Sequence, residues 1–108
     1  MTVKQLAEEN GFKILAFPCP EKEVKGAYIG DLLSWVMGRA ESDNAWITIM
    51  SNINVLAVAS LVDVSCVILA EGVVLDDDTI ATANEKSVNI LSSDLSAFEI
   101  ASKLCGKV

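Results

Sequence analysis

A chain of 108 residues, 52% of them hydrophobic, suits one compact domain with a sizeable core and excludes both a second domain and a disordered chain. The net charge of -7 comes from 15 acidic and 8 basic side chains with no basic cluster, which argues against nucleic acid and anionic membranes as partners. Histidine is absent, so Ser-His-Asp and Cys-His arrangements and every His-containing metal site are excluded too.

Thr2 followed by Gln5 has capping-box spacing and opens a helix that carries Val3, Leu6 and Ala7 inward and ends near Asn10-Gly11. Phe12 to Phe17 is a short strand, stopped by Pro18-Cys19-Pro20, whose prolines cannot donate backbone hydrogen bonds. Val24 to Ile29 reads as a second strand, with Gly26 as a bulge. Gly30-Asp31 begins a helix with Asp31 as its cap and Leu32, Leu33, Val36 and Met37 as its apolar stripe.

From Ala45 the pattern becomes regular. Ala45 to Met50 is a strand, and Ser51-Asn52 leads into a helix through Ile53, Val55, Leu56, Val58, Ala59 and Leu61. Ser65 to Ala70 is a continuous apolar run, as expected of a strand covered on both faces. Glu71-Gly72 turns the chain, and Asp76-Asp77-Asp78 precedes a helix through Ile80, Ala81 and Ala83. Val88 to Leu91 is a strand. Ser96 with Glu99 forms a second capping box for a last helix carrying Phe98, Ile100, Ala101 and Leu104, and Gly106 lies just past its end. Alternating strands and helices imply parallel strands with right-handed crossovers. The expected fold is a single α/β domain over residues 1–108: a mixed sheet with a parallel βαβαβα, Rossmann-like portion and helices on its faces.

The apolar stretch from Val55 to Ala70 is broken by Asp63 and is too short to span a bilayer, and the N-terminus lacks the pattern of a signal peptide. Cys19, Cys66 and Cys105 have no metal-ligand spacing and, being odd in number, read as reduced, buried or inert thiols. A cytoplasmic location is expected. Many apolar residues and two tryptophans in so small a chain predict a homodimer. Trp35 and Trp46 are core or interface anchors; the sequence does not choose between them.

Ligands of open parallel sheets bind beyond the carboxyl ends of the strands. Three loops qualify: Ser51, Asn52 and Asn54; Glu71 and Gly72; and Ser92, Ser93 and Asp94. The first and third open helices, where free N–H groups can hold an anion; the plainer reading of Asn52 and Ser93 is that they cap and turn. The three consecutive aspartates from Asp76 compensate a helix dipole more naturally than they bind a metal. Asp31 and Ser34 lie one turn apart, but capping accounts for Asp31 and nothing nearby in sequence activates Ser34.

The order of elements resembles the DRTGG domain family, which includes the N-terminal domain of bacterial HPr kinase/phosphorylase, regulatory inserts of some CBS-domain pyrophosphatases and small stand-alone members. The resemblance covers nearly the whole chain, through the blocks VKGAYIGDLLSWVM, AWITIMSNINVLAVASLVDVSCVILAEG and VNILSSDLSAFEIASKL. It implies an HPr kinase N-terminal-like fold and self-association. Two departures stand out. Ser51-Asn52-Ile53-Asn54 replaces the family's Gly-Asp-Arg-like turn, and Ala70-Glu71-Gly72 replaces its Thr-Gly-Gly.

Two function classes remain: a non-catalytic regulatory or interaction module sensing a small anionic metabolite or adenine nucleotide, with a protein partner also open to it, and a small enzyme of the serine-kinase type. No phosphate loop exists, since the one Gly-Lys, Gly106-Lys107, is followed by Val108. The module is therefore the expected class, with no catalytic residue, metal or cofactor.

Overall fold

The structure is a computed structural model describing residues 1–108. Both capping boxes form. At the start of α1 (Val3–Asn10), Thr2 Oγ1 accepts from the Gln5 N–H at 3.2 Å while Gln5 Oε1 accepts from the Thr2 N–H at 2.9 Å. Ser96 and Glu99 do the same for α5 (Ala97–Leu104), both bonds at 3.2 Å. Between them the chain makes β1 (Lys13–Ala16), β2 (Ala27–Ile29), α2 (Leu33–Arg39), β3 (Ala45–Thr48), α3 (Asn54–Val62), β4 (Cys66–Leu69), α4 (Asp77–Glu85) and β5 (Ile90–Ser92).

The five strands form one mixed sheet in the order β1-β5-β4-β3-β2. β2 through β5 are parallel, and β1 pairs antiparallel with β5. Because the parallel strands advance in chain order, their crossovers place α2, α3 and α4 on one face; α1 and α5 cover the other. Each face has its own core. Every residue of β3 and β4 is buried. Successive side chains enter opposite cores, with Ala45, Ile47, Cys66 and Ile68 toward α1 and α5 and Trp46, Val67 and Leu69 toward α2, α3 and α4. The expected α/β fold with a parallel portion is thus the observed one. No helix is long and apolar enough to cross a membrane.

Several local expectations change. The second strand is only three residues long: Gly26 takes a left-handed φ of +76°, and Val24 turns into the α1-side core instead of continuing a ladder. Asp31 does not cap α2, whose first position follows Leu32 with no side-chain cap. Its carboxylate is already engaged, accepting from Thr48 Oγ1 at 2.8 Å and from the Ile49 N–H at 3.0 Å. Of the expected α2 stripe only Val36 is fully buried, because the helix lies over the sheet margin; Leu32 and Met37 are exposed.

Ile53 and Leu61 are exposed as well, since they lie on the side of α3 opposite Val55, Leu56, Val58 and Ala59. Phe98 sits more than a quarter-turn from the buried Ile100 and Leu104 and is 78% exposed. The two tryptophans part company. Trp46 is buried with its Nε1–H donated to the Gly30 carbonyl at 2.9 Å, whereas Trp35 is half-exposed beneath the Arg39 guanidinium, 3.9 Å from the ring centroid. All three thiols are free; only Cys66 is fully buried, and Cys105 is exposed. Asp76 caps α4, accepting from the Thr79 N–H at 2.7 Å, and hydrogen bonding from the Thr79 side chain first and its N–H second holds the carboxyl below the usual range.

Candidate ligand site at the carboxyl ends of the strands

The chain after β4 turns toward one face of the sheet and the chain after β5 toward the other. The ends of these two neighbouring strands therefore form the switch point at which open sheets bind ligands. Ala70-Glu71-Gly72-Val73 makes a tight turn closed by Val73 N–H to Ala70 O at 3.2 Å, with φ of +61° at Glu71 and +68° at Gly72. Two successive positive φ values mark a turn that prefers Asn or Gly. A Cβ at Gly72 would lie 2.9 Å from Asp94 Oδ1 and would push that carboxylate aside.

The two loops are zipped together. Glu71 N–H donates to Leu95 O at 2.8 Å, Gly72 N–H to Ser93 O at 2.9 Å, and Ser93 N–H to Leu69 O at 2.9 Å. Ser93 Oγ accepts from the Leu95 N–H at 3.1 Å, so it shapes its own loop. Glu71 is the one non-glycine in this turn with a left-handed backbone. Glu71→Asn should raise stability by about 0.5–1 kcal/mol, roughly 2–4 °C in Tm, because Asn tolerates that conformation better. Thermal unfolding of the two proteins checks this.

Depressions flank the zipped loops on both sides. One, of about 390 Å³, is lined by Lys13, Ser92, Ser93, Asp94 and Lys103 together with the Asn10-Gly11 end of α1. The other, of about 360 Å³, lies on the α4 side and shares Lys13, Ser92 and Asp94 with the first, adding Gly72 and Asp77. Lys13 arrives there because β1 is antiparallel: its first residue pairs with Ser92, the last of β5. Neither Lys13 nor Lys103 takes part in an ion pair.

The sequence-derived candidates are thus divided. Gly72, Ser92, Ser93 and Asp94 are brought together. Glu71 shares their turn but is exposed and lines neither depression. Ser51, Asn52 and Asn54 stand at the start of α3, after β3, and line no cavity; Asn52 Oδ1 accepts from the Asn54 N–H at 2.9 Å and so spends itself on a local turn. Lys13 and Lys103 were missed. Nothing local marks Lys13, since its place depends on pairing with a strand at the far end of the chain, whereas Lys103 could have been flagged as a cation on the last turn of α5.

Among solved structures, the chain is similar to the regulatory region of the Clostridium perfringens pyrophosphatase, in a crystal structure of its CBS and DRTGG domains complexed with the activator diadenosine tetraphosphate. The TM-score is 0.74 at 10% sequence identity. The match covers 94% of this chain and 44% of that one, so the present chain spans less than half the length of its structural neighbour. At that identity the likeness concerns the fold: a five-stranded mixed α/β sheet consistent with a DRTGG-like domain. No protein-family model and no curated protein matches the chain.

Proposed function

We propose that this DRTGG-like domain is a non-catalytic regulatory module of the cytoplasm. It senses a small anionic metabolite, an adenine nucleotide being the leading candidate, at the crevice beside the ends of β4 and β5. The observation that carries this reading is the convergence of Lys13 and Lys103, from separate elements and both free of ion pairs, on Ser92 and Ser93 at the switch point. Two lysines give an otherwise acidic chain a local anchor for phosphate. Asp94 disfavours a densely charged phosphate chain there and suits a ligand that also carries donors, such as a base or ribose. Ser51, Asn52 and Asn54 would meet only a ligand long enough to pass the end of β4. The similar pyrophosphatase region is regulatory and was complexed with a dinucleotide activator, which supports a sensing role over a catalytic one.

Calorimetry with a panel of nucleotides and phosphorylated metabolites tests the site. Lys13→Ala with Lys103→Ala should weaken binding at least tenfold, and the wild-type affinity should fall with added salt. Binding that survives the double variant places the ligand elsewhere. Transfer of phosphate from ATP to a protein acceptor, lost in Asp31→Ala or Asp94→Ala, would instead establish the kinase-type enzyme.

The module is also proposed to act as a homodimer. β2 ends the sheet with no strand beyond it, and Ile29, Leu32, Trp35, Ile49 and Ile53, on or beside β2 and the end of β3, are all about half-exposed or more. An uncovered strand edge bordered by apolar side chains is a pairing surface, and a second copy covers it symmetrically. Light scattering should give the mass of two chains, reduced to one by Trp35→Glu; a single-chain mass for the wild type at micromolar concentration removes the claim.

A further inference from the structure

At the opposite end of the sheet, where β4 and β5 begin, a cavity of about 500 Å³ opens between the Pro18-Cys19-Pro20 loop, the end of α3 and the turn joining α4 to β5. It is larger than either depression at the carboxyl ends and falls in the size range of small-molecule sites. Ala59, Val64 and Val88 contribute its apolar lining.

The walls are held in place before any ligand arrives. The buried Asn89 side chain clamps the proline loop: its Oδ1 accepts from the Cys19 N–H at 2.9 Å, and its Nδ2 donates to Cys19 O at 2.7 Å and Ser65 O at 2.9 Å. Lys22 Nζ is fixed by the Asp63 carboxylate and by Val64 O. Asp63 and Ser87 adopt φ of +65° and +61°, conformations that non-glycine residues keep only where surrounding contacts impose them.

The chemistry follows from which polar groups are left over. Lys22 and Asp63 neutralise one another. Lys86 has no carboxylate in ion-pair range, and the hydroxyls of Ser60 and Ser87 line the cavity without a hydrogen-bond partner in the protein. These three donors stand at the solvent-exposed rim of the apolar lining. A second negative charge would be opposed by Glu21, which also lines the cavity, and by the carbonyl ends of α3 and α4.

We propose that this cavity is a second ligand site, separate from the crevice at the carboxyl ends, and that it takes a small monocarboxylic acid with an apolar body. The carboxylate sits on Lys86 Nζ and the hydroxyls of Ser60 and Ser87, and the body lies on Ala59, Val64 and Val88. A doubly charged phosphate is opposed by Glu21 and by the carbonyl ends of the two helices.

Phenylacetate and hexanoate are the probes, with phenylacetamide as the neutral counterpart, followed by backbone amide spectra and calorimetry on the intact chain. Both acids are expected to shift the amides of residues 59–64 and 86–88 and to bind at least tenfold more tightly than the amide. Lys86→Gln should weaken acid binding about tenfold while leaving thermal stability unchanged. The Lys13→Ala, Lys103→Ala double variant should bind the acids normally, which separates this site from the nucleotide reading. Failure of both acids to bind at millimolar concentration, equal binding of the amide, or shifts confined to the other end of the sheet would each overturn the proposal.

Discussion

Asn89→Ala is expected to destabilise the domain by about 3–5 kcal/mol, enough to unfold much of the population at moderate temperature. Asn89 is 1% exposed, and its amide serves three backbone groups: the N–H and C=O of Cys19, 70 residues away in sequence, and the C=O of Ser65. Alanine leaves all three without their partner, the Ser65 carbonyl in the interior and the Cys19 groups part-buried, and each such loss costs up to about 1–3 kcal/mol. Asn89→Asp is a sharper probe. It keeps the acceptor for the Cys19 N–H but turns an acidic oxygen toward the two carbonyls, so its cost should shrink as the pH falls and the carboxyl protonates. Urea unfolding at neutral and mildly acidic pH measures both. A loss under 1 kcal/mol for Asn89→Ala would mean that the proline loop is not held by this clamp.

The second large effect is alkaline. Cys66 is fully buried in the α1-side core, and burial pushes its thiol from 9.0 up to about 12, with Lys22 pulling weakly the other way. The unfolded chain therefore releases this proton before the folded one does. The stabilisation is fully present below pH 9 and is lost as the pH rises toward 12, at up to about 1.4 kcal/mol per pH unit and about 4 kcal/mol in all. The informative quantity is the difference between wild type and Cys66→Ala. At pH 7 the alanine variant is less stable by the lost packing, about 1 kcal/mol. As the pH climbs past 9 the gap should close and then reverse. Parallel curves for the two proteins would show that Cys66 does not ionise on unfolding.

How far the fold was legible in the sequence depended on the range of the interactions. Thr2 with Gln5 and Ser96 with Glu99 are contacts three residues long, and both are where the spacing puts them. The run from Cys66 to Leu69 has no polar member because both faces of β4 are covered, and that too can be read directly. Asp31 misled because a helix cap and a link to the neighbouring strand need the same carboxylate; its donors, Thr48 and Ile49, lie 17 and 18 residues away and meet it only once β2 pairs with β3. Lys13 escaped notice for the same reason, since its position beside Ser92 is a product of tertiary pairing. Ile53, Leu61 and Phe98 are apolar yet exposed, and their helical angles place them away from the buried stripe.

The placement of β1 sets an order of assembly. β3, β4 and β5 can each dock on the strand made just before it, so the parallel part grows by short-range steps as the chain is made. β1 is made first yet has no partner until β5 exists, and the clamp on Cys19 likewise awaits Asn89. β1 must therefore wait, unpaired, until β5 has been made, and a loop of that length is slow to close. Lys13 at its head and Pro18 and Pro20 just past its tail are the kinds of residue that keep such a waiting strand from pairing with another nascent chain.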